Sequence, residues 1–258
     1  MSIDFNLDED GIALITINRT ERLNAMDREH YDALSKAWIR VRDDASIKCA
    51  IVTGAGDRSF TTGADIKEVL TDPTPLSEMW LTQSDQLLNN GLEIWKPIIA
   101  AVNGYCLGGG MTLLFATDIR IASSNASFSL SEVKRGTIPR NGGTQRILSQ
   151  VPQAIAMEWL LTGDPFDANE AARWGLINAV VAPEQLLDKA YKYARRVTAN
   201  APLAVQATKE LALRSRDMDL NTGLRVEAQV IRLLEFSEDA VEGPAAFSDK
   251  RDPNWKGK

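Results

Sequence analysis

Apolar residues fall in short unbroken runs over the first two thirds of the chain and at helical spacing over the last third. Ile12-Ala-Leu-Ile-Thr-Ile-Asn18 follows the polar turn Asp8-Glu-Asp-Gly11, which predicts a strand with a hairpin ahead of it. Residues 49–53, 98–102 and 119–122 are further runs of strand length, the last two followed by Gly-rich or Ser-rich turns. Between the first two runs, Asp27 is placed to cap a helix. Its apolar residues Tyr31, Leu34, Trp38 and Val41 recur at spacings of three, four and three. Strands alternating with helices predict a parallel α/β sheet. The Pro- and Thr-rich residues 71–75 break the pattern, and the stretch to about residue 94 reads as helical. From about residue 183 the strand signal ceases. Residues 183–198, 202–215, 220–236 and 238–247 read as helices, with Pro183 and Pro202 at first-turn positions. The expectation is an α/β core over residues 1–182 and a helical region over 183–258.

One junction carries chemistry. Residues 104–112 read Gly-Tyr-Cys-Leu-Gly-Gly-Gly-Met-Thr, directly after the run 98–102, and Met111-Thr-Leu-Leu-Phe-Ala116 reads as the start of an apolar helix. Glycines between a strand and a helix let the backbone approach a ligand and aim free N–H groups at it. The positive end of the helix dipole favours negative charge there. Phosphate binding, oxyanion stabilisation and a purely structural turn all fit such a junction. A doubly wound nucleotide-binding fold does not, because it needs Gly-x-Gly-x-x-Gly after the first strand. Here that place is filled by Arg19-Thr-Glu-Arg-Leu-Asn24, with no glycine.

Composition narrows the partners. A length of 258 residues with 44% apolar content suits one core domain of about 200 residues and an appendage. No apolar run approaches the ~18 residues of a membrane span, and no secretory signal is visible at the N-terminus. Cys49 and Cys106 read as reduced, buried small hydrophobes, which points to the cytoplasm. A net charge of −6 without Lys/Arg runs argues against nucleic acid as a partner. The sole histidine, His30, has no Ser/His/Asp constellation around it, and no Cys/His/carboxylate cluster has metal spacing.

Three longer motifs decide among the remaining readings. They are Ser59-Phe-Thr-Thr-Gly-Ala-Asp-Ile-Lys-Glu68, Asn103-Gly-Tyr-Cys-Leu-Gly-Gly-Gly110 and Gly136-Thr-Ile-Pro-Arg-Asn-Gly-Gly-Thr-Gln145. With Arg22-Leu-Asn-Ala25, Leu161-Thr-Gly163, Ala171-Ala-Arg-Trp-Gly-Leu-Ile177 and Ala246-Phe247, they form an ordered set along nearly the whole chain. The set closely resembles the crotonase family, the enoyl-CoA hydratases and isomerases. That resemblance implies a spiral of ββα units with a C-terminal helical part, assembled as trimers that usually pair into hexamers. It implies an acyl-CoA thioester as substrate and no cofactor beyond the CoA it carries.

The same resemblance assigns site residues. The backbone N–H groups of Ala64 and Gly109 become the donors of an oxyanion hole, and Glu132, in Leu130-Ser-Glu-Val133, becomes the acid/base. Arg22, Ala25, Asp65, Ile66 and Lys67 fall where the family follows the CoA moiety, and Phe247 and Lys250 where relatives reach a neighbouring subunit's CoA. Two positions depart from the pattern. Thr112 stands where the hydratases carry a second glutamate, and Arg140 follows Pro139 where relatives have a small residue. A threonine hydroxyl cannot exchange a proton near neutral pH, so Thr112 reads as holding a water or an acyl substituent. Arg140 either points into a subunit contact or recognises a polar acyl feature. The segment is similar to the single-glutamate hydroxycinnamoyl-CoA hydratase-lyases. Hydration is the expected reaction, double-bond isomerisation the alternative, and an RNA-binding homologue the reading from another class.

Overall fold

The apolar runs become strands in the computed structural model, which describes residues 2–69 and 87–258. Strands β1 (Ile3–Leu7) and β2 (Ile12–Ile17) pair antiparallel. The turn between them is set by Asp8, whose Oδ1 accepts from the N–H groups of Asp10 and Ile12 at 3.0 and 2.8 Å. Strands β3 (Cys49–Gly54), β5 (Ile98–Val102), β7 (Ile119–Ser123) and β10 (Ala179–Val181) add in parallel, giving the order β1-β2-β3-β5-β7-β10.

Three of these strands hand the chain straight to a second, smaller sheet. It is built from β4 (Ser59–Thr61), β6 (Tyr105–Leu107), β8 (Ser127–Ser129) and β9 (Phe166–Asp167), in the order β4-β6-β8-β9. The succession β3–β4, β5–β6, β7–β8 repeats one step of a spiral. Short helices α2 (Ile66–Val69) and α3 (Gly109–Phe115) follow the first two pairs, and the second begins at the Gly triplet. The expected ββα spiral is thus the observed architecture.

Both faces of the large sheet are covered, which explains why its strands read as unbroken apolar runs rather than as alternations. Ala13, Ile15, Ile17, Val52, Ala100 and Val102 face the main core, shared with Leu34, Trp38 and Val41 of helix α1 (Arg28–Asp43). Ile12, Cys49, Ile51, Ile99, Ala101 and Ile121 face the other way, against Leu186, Ala190 and Ala194. Asp27 caps α1 as its position predicts, accepting from the His30 N–H at 3.0 Å. The thiols of Cys49 and Cys106 are free and buried, and burial pushes that of Cys49 up to about 12.

Helices α4 (Gly143–Ile147), α5 (Gln153–Thr162) and α6 (Ala168–Arg173) precede β10. The helical region then runs through α7 (Leu186–Thr198), α8 (Pro202–Arg214), α9 (Leu220–Leu234) and α10 (Glu238–Asp249). Helix α7 starts later than its sequence suggests, because Pro183–Gln185 forms a separate 3₁₀ turn. The expected break at 71–75 lies outside the described residues, as does most of the helical stretch expected after it. Its visible end holds a 3₁₀ turn, Leu88–Asn90. No helix among the described residues is long and apolar enough to cross a membrane.

Candidate active site

Two backbone segments meet at the glycine junction. The first is Gly63-Ala64-Asp65, between β4 and α2, held by a parallel bridge to Met26. Met26 N–H donates to Gly63 O at 2.8 Å, and Asp65 N–H donates to Met26 O at 2.9 Å. Since neighbouring groups along an extended chain alternate in direction, the N–H of Ala64 faces away from Met26. The second segment is the start of α3, where Gly109 is the first helical residue and its N–H has no intrahelical acceptor. Among the described residues, neither N–H donates to another protein group.

The two segments are in direct contact. A β-carbon on Gly109 would lie 3.0 Å from Gly63 Cα and 3.6 Å from Ala64 N. One on Gly63 would lie 2.5 Å from Gly109 N, and Gly63 has φ +84°. Only glycine fits both the backbone angle and the approach at that position. Two unused donors at a helix N-terminus, a few ångströms apart, are suited to one developing oxyanion.

Glu132 stands beside them. It lies in the 3₁₀ turn Ser131–Arg135, which follows β8. A β-carbon at Gly108 would sit 3.3 Å from Glu132 Oε1, so the carboxyl group lies over the residue before Gly109. Glu132 Oε2 is buried and has no hydrogen-bond partner among the described residues. Burial raises the carboxyl pKa above the ordinary glutamate value, opposed in part by its own backbone N–H and by Arg135. A half-buried carboxylate shifted this way is equipped to exchange a proton nearer neutrality.

Thr112 is 2% exposed. Its hydroxyl donates to Gly109 O at 3.0 Å and accepts from Asn89 Nδ2 at 2.9 Å, so its proton and one of its two lone pairs are used inside the protein. Arg140 is exposed and, among the described residues, its side chain makes no ion pair or hydrogen bond.

The residues expected near CoA differ in burial and pairing. Asp65 is tied, pairing with Arg19 at 3.1 Å and accepting from the Lys67 N–H at 3.2 Å. Arg19 was not singled out by the sequence, yet it is the hub of this corner. It also reaches Asp27 at 3.3 Å, Glu68 at 3.1 Å and the carbonyl of Ala25 at 3.3 Å. Arg22 and Ile66 are exposed, as is Lys67. Phe247 (88% exposed) and Lys250 lie at the end of α10 and are not among the groups nearest Gly63, Gly108 or Gly109.

Asn24 fixes the loop that carries Arg22 and Ala25. It is buried with φ 55°, a left-handed conformation that asparagine tolerates better than most residues. Its amide donates to Ala55 O at 3.0 Å and Ser59 O at 2.7 Å, and its Oδ1 accepts from Arg19 N–H at 2.9 Å. Asn24→Leu leaves these groups unpaired. Denaturant titration should show a loss of about 1–3 kcal/mol per orphaned buried group. Unchanged stability would contradict this role.

Other chemistries find no support among the described residues. His30 Nδ1 is bound to Asp27 Oδ1 at 2.6 Å, and no group of three His, Cys, Asp or Glu side chains is placed to hold a metal. A cavity of about 240 Å³ lies in the helical region between Leu203, Ile231, Leu234 and Trp255, away from Glu132.

Paired backbone donors beside a half-buried carboxylate are suited to stabilising an oxyanion while a proton moves. The chain matches the family of enoyl-CoA hydratases/isomerases over residues 8–258 and belongs to it. It is similar to (E)-benzylidenesuccinyl-CoA hydratase of Thauera aromatica, at 42% identity over 246 residues that cover 95% of this chain and 96% of that protein. It is 40% identical to carnitinyl-CoA dehydratase of Salmonella arizonae over the full length of both. Among solved structures, an enoyl-CoA hydratase from Bacillus anthracis superposes with a TM-score of 0.92 at 32% identity, covering all of both chains.

Proposed function

We propose that the enzyme adds water across the C=C bond of an α,β-unsaturated acyl-CoA, or removes it in reverse, with Glu132 as the single acid/base. The observation that supports this most is the placement of Glu132 Oε1 against Gly108, next to the contact between Gly63 and Gly109. In the forward direction Glu132 takes one proton from water as the water oxygen bonds to the β-carbon. The C=C electrons move to the thioester oxygen, where the N–H groups of Ala64 and Gly109 stabilise the enolate. Glu132 then returns the proton to the α-carbon, so water's two parts end on adjacent carbons. Arg22 is exposed and is placed to take a CoA phosphate, a task suited to a guanidinium.

The acyl group is expected to carry a polar or aromatic substituent. Support comes from the curated relatives, whose names specify benzylidenesuccinyl-CoA and carnitinyl-CoA. A panel of enoyl-CoA esters, followed by loss of the conjugated thioester absorbance, should show faster turnover on substituted chains than on crotonyl-CoA. Preferred turnover of crotonyl-CoA would contradict the substituent. A second reading, double-bond isomerisation, draws on the presence of one titrating carboxylate instead of two. It is distinguished by a product with no added water.

We further propose a homo-oligomer, a trimer or a dimer of trimers. The helical region leaves Leu220, Leu233, Phe236, Val241 and Phe247 at least 71% exposed, large apolar side chains that a single chain leaves in water. Sedimentation velocity should show a trimer or hexamer, and a monodisperse monomer would contradict it. Buried free thiols at Cys49 and Cys106 support a reducing, cytoplasmic location.

A further inference from the structure

We propose that Asn89 presents its amide oxygen to the water, or to the departing hydroxyl, at the β-carbon, an inference that rests on the hydratase reading. Asn89 lies in the 3₁₀ turn Leu88–Asn90 and is 7% exposed. Its Nδ2 meets the Thr112 hydroxyl at 2.9 Å. That hydroxyl has one proton, and it is directed at Gly109 O, 3.0 Å away. Toward Asn89 the hydroxyl therefore only accepts, which orients the amide: its NH₂ turns to Thr112 and its oxygen turns away. Among the described residues the oxygen has no hydrogen-bond partner.

The turn is clamped in place. Arg146 donates to the Asn89 carbonyl at 2.9 Å and to the Asn141 carbonyl at 2.6 Å. Gly142 has φ +78° and presses directly on the Arg146 guanidinium, so a β-carbon there would overlap it. Gly143 closes the other side, since its β-carbon would lie 3.0 Å from Thr112 Cγ2. Burial lowers the Arg146 pKa, with nearby Arg216 acting the same way, and no carboxylate pairs with Arg146 among the described residues. A half-buried cation spent on two carbonyls is a costly fixture, and one of the two fixes the backbone of Asn89.

Thr112 and Gly109 are three residues apart on α3 and share a face. The Asn89 amide accordingly stands one helical turn from the oxyanion donor, while Glu132 lies over Gly108. The division of labour is chemical. Glu132 removes one proton of the water, and the Asn89 oxygen accepts a hydrogen bond from the other O–H, which stays on the product hydroxyl. An amide oxygen orients water without titrating, so Asn89 supplies position at the place where the second glutamate is replaced by Thr112.

The test uses Asn89→Leu, Asn89→Asp, Thr112→Val and Thr112→Ser in the full-length enzyme, on whichever enoyl-CoA the wild type hydrates. Asn89→Leu should lower kcat about 10²-fold, the usual effect of a misplaced reactant, with KM within a few-fold. Thr112→Val should lower kcat in the same direction, and Thr112→Ser should restore it. Asn89→Asp adds a second titrating group and should add a second ionisation to the pH profile of kcat/KM. If Asn89→Leu fails to fold, that profile decides, and a profile identical to wild type overturns the inference. Full kcat in folded Asn89→Leu overturns it while leaving the hydratase reading standing. A wild type that hydrates no enoyl-CoA removes both, and does so before any variant is made.

Discussion

Glu132→Gln should lower turnover by about 10²–10⁴-fold, the usual contribution of a positioned acid/base, while acyl-CoA binding persists. Glutamine keeps the shape that packs over Gly108 and removes only titration. In wild type the half-buried carboxyl has a raised pKa, and hydration begins from its ionised form. The acid limb of kcat should therefore lie above the ordinary glutamate range and vanish in the variant. Stability moves the opposite way. A carboxyl whose folded pKa is raised holds its proton more tightly in the folded state. Its stabilising contribution is present below the unfolded value and is lost as pH rises through the folded value. At neutral pH the ionised group burdens the fold, so Glu132→Gln should melt no lower than wild type. Near-normal turnover in that variant, or an acid limb unchanged by it, would contradict the assignment.

Gly109→Val should lower kcat by about 10²-fold or more, the cost of losing one oxyanion donor. The β-carbon alone would sit 3.0 Å from Gly63 Cα, and the two added methyls enlarge the intrusion. Relief requires the two segments to part, which moves the donors of Gly109 and Ala64 off a common oxygen. Gly63→Ala should act alike from the other side, because its β-carbon meets Gly109 N at 2.5 Å and its φ is +84°. Circular dichroism and oligomer mass separate a displaced donor from a failed fold. Folded variants with wild-type kinetics would show that these N–H groups stabilise nothing in the reaction.

What the sequence revealed follows the range of the contacts involved. Helix α1 was legible because its cap, Asp27, and its apolar stripe are local. The long parallel strands were legible because burial on both faces leaves unbroken apolar runs. The strands of the smaller sheet were not individually legible, since two or three residues carry no period and gain their place only by pairing across the spiral. The site divides likewise. Gly109 and Ala64 announce themselves through glycines at a strand-to-helix junction and in a matching motif, and Glu132 through its motif. Arg19, Asn24 and Asn89 are different. Each works through partners far along the chain: Arg19 through Asp65, Asn24 through Ser59, Asn89 through Thr112 and Arg146. Asn89-Asn90-Gly91 reads locally as a turn, and the clamp that makes it more than a turn lies 57 residues away. Thr112 was recognised as a departure, but the amide its hydroxyl accepts from belongs to a neighbour that spacing does not disclose.

The most direct test is oxygen-isotope incorporation from solvent. Wild-type enzyme and Glu132→Gln are incubated with a substituted enoyl-CoA in ¹⁸O-labelled water, and the product is followed by mass spectrometry. Hydration through Glu132 predicts a hydroxyacyl-CoA carrying one labelled oxygen with wild type, and loss of that product with the variant. A product of unchanged mass from wild type, or labelled product formed by Glu132→Gln at the wild-type rate, would contradict it.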